Sequence, residues 1–275
     1  MTLLSCYYPD FQISSSFEIP NHLRDLLHEI WQHHYEELYD EDADGTIPLE
    51  DAIKEVLDAL WSEDDGLGHS RYVFMALILG FAVSPTVEAY LPDDTRPRII
   101  LILIANWLIQ VMKSSIWDNY AITSIHILQA PIKLLEEAKI TDNKELYFTL
   151  KCLEELSLAE SKKSSISNIN NQLFPQVSVG TQAIDEALDV FRNALRVLER
   201  SQAREALLEI LDDCFEGYAV FPGSQGKRDL FNWWLLEVLP ATWCLEFPDV
   251  LYTMNGLQQV NQSSPAIPRV LLKFL

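Results

Sequence analysis

Basic residues are scarce in this 275-residue chain: 20 Lys and Arg stand against 41 Asp and Glu, a formal net charge of −21. Such a field repels phosphate backbones and anionic bilayers, so neither nucleic acid nor a membrane surface is expected as a partner. Cations and basic protein surfaces are favoured instead. Cysteines are few as well. Cys6, Cys152, Cys214 and Cys244 lie far apart and form no C-x-x-C pair, which argues against a zinc ribbon or a redox dithiol and suits a reducing compartment. The N-terminus, Met-Thr-Leu-Leu-Ser-Cys-Tyr-Tyr-Pro, has no basic region leading into a long apolar core. It does not read as a signal peptide, and the expected location is the cytoplasm. No run alternates apolar and polar residues for long enough to read as a strand.

What the chain does have is helical periodicity. Ile99 to Met112 is apolar on every face, as in a helix surrounded by protein or lipid. Its fourteen residues fall short of the roughly 20 that a bilayer requires, so it reads as a central buried helix. Tyr72 to Val83 reads as a second core helix for the same reason. The expected fold is therefore all-α: an irregular multi-helix bundle around buried helices 72–83 and 99–112, with a smaller helical C-terminal part.

The other elements follow from spacing. Leu23, Leu26, Leu27, Ile30, Trp31, Tyr35, Leu38 and Tyr39 recur at three and four, predicting a helix from Asn21 to about Tyr39. A second helix carries Ile53, Val56, Leu57 and Leu60, and Ser62 to Gly68 reads as a turn after it. Pro92-Asp-Asp-Thr-Arg-Pro-Arg98 is a helix start, with Asp94 or Thr95 as cap and Pro97 in the first turn. Helical patterns continue over 117–139 and 142–160. The polar stretch Ser161 to Gln172 reads as a linker or loop. The chain then divides into an acidic helical domain over 1–160, a linker over 161–180 and a helical C-terminal part over 181–275, which can pack as one domain with the first. A helix or helix pair runs from Thr181 to Phe215 with Ile184, Leu188, Phe191, Leu195 and Leu198 on one seam. An aromatic helix follows over Arg228 to Leu239, and Pro240 is expected to break the chain beyond it.

The acidity is local. Through Gly66 there are seventeen acids and two bases, Arg24 and Lys54. Within that segment, Asp40-Glu-Asp-Ala-Asp-Gly-Thr-Ile-Pro-Leu-Glu-Asp51 resembles the calcium loop of the EF-hand family, D-x-[DN]-x-[DN]-G with an acidic ligand closing twelve residues. The resemblance implies a metal site in which Asp40, Asp42 and Asp44 take the first, third and fifth places. Gly45 turns the chain, Thr46 offers its carbonyl, Ile47 fills the apolar eighth place and Asp51 closes the loop. The implied cofactor is calcium or, because Asp51 has a shorter arm than the family's Glu, magnesium. Pro48 sits at the ninth place and no second loop follows. The competing reading is an acidic surface turn in which Pro48 and its neighbours begin the next helix.

Other motifs are weaker. His28 and His33 are spaced by five and do not share a helix face as a zinc pair must. Gly223 to Arg228 lacks the first glycine and the hydroxyl of a phosphate loop, leaving only Lys227 and Arg228 at a helix start as anion contacts. Arg192, Arg196, Arg200 and Arg204 form a basic stripe whose expected partners are the protein's own acids.

No catalytic residues are legible, and the first expectation is a non-enzymatic cytoplasmic interaction or regulatory protein that binds a divalent cation. The second is an acidic inhibitor- or immunity-type protein binding a basic protein partner; residues 92–98 are faintly similar to a segment of some helical immunity proteins. The third is an enzyme with its site between the helical halves.

Overall fold

A computed structural model of the protein describes residues 10–14, 16–43, 45–61, 65–117, 182–220, 226–253 and 256–259. The helices expected over 118–139 and 142–160, the linker over 161–180, and Asp44, Cys6 and Cys152 lie outside the described residues. The architecture is all-α. Its helices are α1 (Asn21–Gln32), α2 (Leu49–Leu60), α3 (Asp65–Tyr90), α4 (Arg96–Trp117), α5 (Gln182–Arg196) and α6 (Ala203–Phe215). The C-terminal helical run is α7 (Lys227–Trp233), a π-turn over Trp234–Val238, and α8 (Leu239–Cys244).

The axis of the packing is α3. Every residue from Tyr72 to Leu79 is buried, and α3 packs against α2, α4, α5, α6, α8 and the first strand. By length and composition Gly66–Tyr90 is long and apolar enough to cross a membrane, and 72% of its apolar window is buried within the protein. The helix begins earlier than its apolar pattern: Asp65 to Gly68, expected as a turn, form its first turn. There Ser70 Oγ donates to the Gly66 carbonyl at 2.9 Å. The chain passes Pro85 without leaving the helix.

Helix α4 lies beside α3, where an added Cβ at Gly80 would meet the Leu101 side chain at 2.9 Å. It starts as its sequence dictates: Asp94 Oδ1 accepts from the Arg96 N–H at 2.9 Å and Pro97 sits in the first turn. Its burial is less complete than an all-apolar pattern suggests. Ile99, Ile100, Leu103 and Ile104 are enclosed, whereas Ile102, Asn106 and Trp107 are half-buried.

Helices α5 and α6 form the expected pair. Ile184, Leu188, Phe191, Leu195 and Leu198 are all buried, and one continuous core joins residues on both sides of the 118–181 segment. Pro240 does not end the aromatic helix. In a regular α-helix its ring would crowd the carbonyl four residues back; the wider π-turn just before it relieves that crowding and the helix continues to Cys244. A further departure is a small antiparallel hairpin, β1 (Val250–Thr253) and β2 (Gly256–Gln259). Four-residue strands are too short for alternation to show, and the Asn255-Gly256 pair is the one local signal for the turn.

Candidate functional site

The acidic N-terminal segment is positioned by one arginine far away in sequence. Arg228, in the first turn of α7, sends Nη2 to the Trp31 carbonyl at 2.6 Å and Nη1 to the His33 carbonyl at 2.8 Å. The same Nη1 lies 2.9 Å from Asp40 Oδ2. These are acceptors at the end of α1, which a helix must satisfy from outside itself. Helix α1 therefore stops at Gln32 and not near Tyr39 as its periodicity suggests. After it come His33 and His34, then a 3₁₀ turn over Glu36–Leu38.

Asp40, the first residue of the EF-hand-like loop, is thus engaged inward. Its Oδ2 accepts from the Tyr35 N–H at 2.8 Å as well as from Arg228, and its side chain is 9% exposed. Asp42 and Thr46 are exposed. Gly45 has φ +66, the left-handed turn that the sixth place of such a loop demands, and a Cβ there would sit 3.0 Å from Glu36 Oε1. Ile47 is 37% exposed. Pro48 precedes α2, and Asp51 lies exposed in its first turn, 3.7 Å from Lys54 Nζ. Asp44 is not among the described residues. Among those that are, no group of three or more His, Cys, Asp or Glu side chains is arranged to hold a metal ion.

Beside the loop lies a second acidic region around buried Lys227. Its ammonium donates to the Glu216 carbonyl and rests 5.3 Å from the Tyr39 ring and 5.5 Å from the Tyr218 ring. Burial lowers its pKa, while Glu216, Glu186 and Asp212 oppose that shift. Burial, with neighbouring Asp189, Glu186, Asp212 and Glu209, pushes the Asp213 carboxyl up to about 8. Tyr39 is 61% exposed and holds φ +61, a conformation that L side chains rarely adopt. Both cations of the phosphate-loop reading, Lys227 and Arg228, therefore point into the protein.

Three arginines of the stripe are engaged in the same way. Arg192 pairs with Asp189, Arg196 donates to Asn193 and Gln202, and Arg204 grips Asp58 of α2 at 2.8 and 3.0 Å. Arg71 stacks 3.6 Å over Trp243 and donates to the Leu60 and Trp243 carbonyls. His28 contacts Gln32 and Phe11, and His33 packs on Tyr35. His69 is buried, with Nε2 at 2.8 Å from the Val197 carbonyl. Sequence reasoning did not single out Glu237, a carboxyl buried in the π-turn; an acid amid an apolar aromatic helix was the signal.

No family model matches this chain, and no curated protein or solved structure matches it either.

Proposed function

We propose that the protein is a non-enzymatic interaction protein whose acidic N-terminal face docks a basic protein partner. The observation that carries this reading is an asymmetry in how charge is used. Arg71, Arg96, Arg196, Arg204, Lys227 and Arg228 all make contacts within the protein. By contrast Glu29, Glu36, Glu41, Asp42 and Glu55 face solvent, with Arg24 the exposed base among the described residues of the same N-terminal segment; Arg98 and Arg200 are exposed elsewhere. A surplus of one sign at the surface raises the rate and selectivity of encounter with the opposite sign more than it adds raw affinity.

The test is titration with a lysine-rich peptide at low and moderate salt. Charge reversal at Glu36, Glu41 and Asp42 is expected to weaken binding by roughly tenfold or more. The same number of reversals at Glu88, Glu205 and Glu246 controls for net charge. Equal losses in the two variants overturn the assignment of the face, and binding indifferent to salt overturns the mechanism.

The cation reading is supported by one feature, the left-handed Gly45 at the sixth place. For a calcium or magnesium ion to enter, Asp40 must exchange Arg228 for the metal. Calorimetry with each cation is then expected to give binding heat in the wild type and none in Asp44→Ala. Absence of heat in the wild type with both cations removes the site.

A further inference from the structure

Tyr39 holds a conformation that its own packing does not explain. It closes the 3₁₀ turn with φ +61, in the left-handed region where an L side chain crowds the following carbonyl. The turn itself needs that backbone. Tyr39 N–H donates to the Glu36 carbonyl at 2.9 Å and Asp40 N–H to the Tyr35 carbonyl at 3.3 Å. The reversal brings the Asp40 carboxylate back to the Tyr35 N–H at 2.8 Å. Glycine or asparagine would supply the same turn with less strain. Burial of the ring does not offset the strain either, since 61% of Tyr39 is exposed. Strained residues of this kind cluster at ligand clamps and active sites.

The ring is anchored on its inner side. Lys227 Nζ, on a residue only 2% exposed, lies 5.3 Å from its centroid and 5.5 Å from that of Tyr218, so the two rings share one buried ammonium. The rest of the ring faces solvent in acidic company. Glu36, Glu41 and Asp42 are exposed. Glu36 Oε1 stands over the loop, 3.0 Å from where a Cβ on Gly45 would lie. Glu37 and Asp40 are already engaged, by the Leu49 N–H at 3.3 Å and by Tyr35 and Arg228. Ile47, at the far end of the loop, is a second exposed apolar side chain. The remaining large ones among the described residues, Leu67 and Tyr90, lie at the two ends of α3.

We propose that Tyr39 is the anchor of the acidic face: the aliphatic stems of a basic partner's lysines and arginines lie across its ring and Ile47, while their charged heads pair with Glu36, Glu41 and Asp42. This role for Tyr39 rests on the docking reading of the acidic face and names the residue that carries its apolar part. Charge complementarity selects the occupant. Lys and Arg carry an apolar stem beneath a charged head, which matches an exposed ring rimmed by carboxylates. An acidic segment would be repelled, and a purely apolar one would strip water from the carboxylates without replacing it. A rigid ring also offers a large contact area with few rotamers to freeze.

Titration of the intact protein with a lysine-rich peptide, in wild type and Tyr39→Gly, tests the anchor. Tyr39→Gly keeps every carboxylate and suits the left-handed turn, and its Kd is expected to rise about tenfold. Because the charges are untouched, that ratio persists at moderate salt, unlike the loss in the charge-reversed variant. Tyr39→Phe keeps the ring and is expected to bind as the wild type does. Unchanged affinity in Tyr39→Gly overturns the anchor and leaves the acidic face standing, whereas a wild type that does not bind the peptide overturns both. Nitration of the wild type by tetranitromethane, read by mass spectrometry, decides the case in which Tyr39→Gly does not fold. Saturating peptide is expected to suppress nitration of Tyr39 and leave that of Tyr90, 49% exposed, unchanged. Equal nitration of Tyr39 with and without the peptide overturns the proposal.

Discussion

Replacing Arg228 by alanine lowers the free energy of unfolding by about 3–5 kcal/mol, because it strands a carboxylate in a poorly solvated place. Asp40 is 9% exposed and its ion-pair partner is this guanidinium at 2.9 Å. The same substitution removes the donor for the Trp31 and His33 carbonyls. Urea denaturation of a double-mutant cycle tests the coupling. Asp40→Asn made on top of Arg228→Ala is expected to recover part of the loss, since the charge that remained unpaired is gone. Strictly additive losses would show that the two residues are energetically independent. Arg228→Lys is expected to fall between the wild type and the alanine variant, because an ammonium keeps a positive charge for Asp40 but cannot reproduce a planar fork reaching three acceptors.

Trp234→Ala is expected to cost a similar amount, about 4–5 kcal/mol, by a different route. Trp234 is wholly buried, with ring centroids 5.3 Å from Phe215 and 5.6 Å from Phe231, and its Nε1 lies 3.4 Å from Met75 Sδ. Truncation removes the burial of a large aromatic and leaves a cavity where α3, α6 and the π-turn meet, about 3–5 kcal/mol. The ring partners, Phe215 edge-to-face and Phe231 tilted, add roughly 0.5–1.5 kcal/mol. For a chain of this size each kcal/mol moves the melting temperature by about 2–4 °C, so a scan should show a fall of roughly 10 °C or more. Trp234→Phe keeps most of the ring contacts and should fall between the two. A loss below about 2 kcal/mol for the alanine variant would mean that the cluster collapses to fill the gap.

These two sites mark the boundary of what local pattern reveals. The start of α4 is legible because its determinants, Asp94, Thr95 and Pro97, act within a few residues of one another. The α5–α6 seam is legible because one helix face repeats at three and four. The end of α1 is not, since Tyr35 and Leu38 keep the apolar spacing past Gln32 and the group that terminates the helix is Arg228. The continuation through Pro240 depends on a π-turn that no propensity announces.

The candidate site divides in the same manner. Gly45 is readable as a left-handed turn from its place among acids. The spacing of the loop has Asp40 facing a cation, and the structure supplies one, but as a guanidinium from 188 residues away. Alternating carboxylates indicate that positive charge belongs nearby. They do not specify whether it arrives as an ion, a partner or a distant part of the same chain.

That distance has a bearing on the order in which the molecule is made. A ribosome releases α1 and the acidic loop long before it reaches Arg228. Until then the Trp31 and His33 carbonyls and the Asp40 carboxylate must rely on water. The N-terminal segment can thus acquire its final shape only once Arg228 has been made, and a nascent chain arrested before Arg228 should present it to proteases as an open strand.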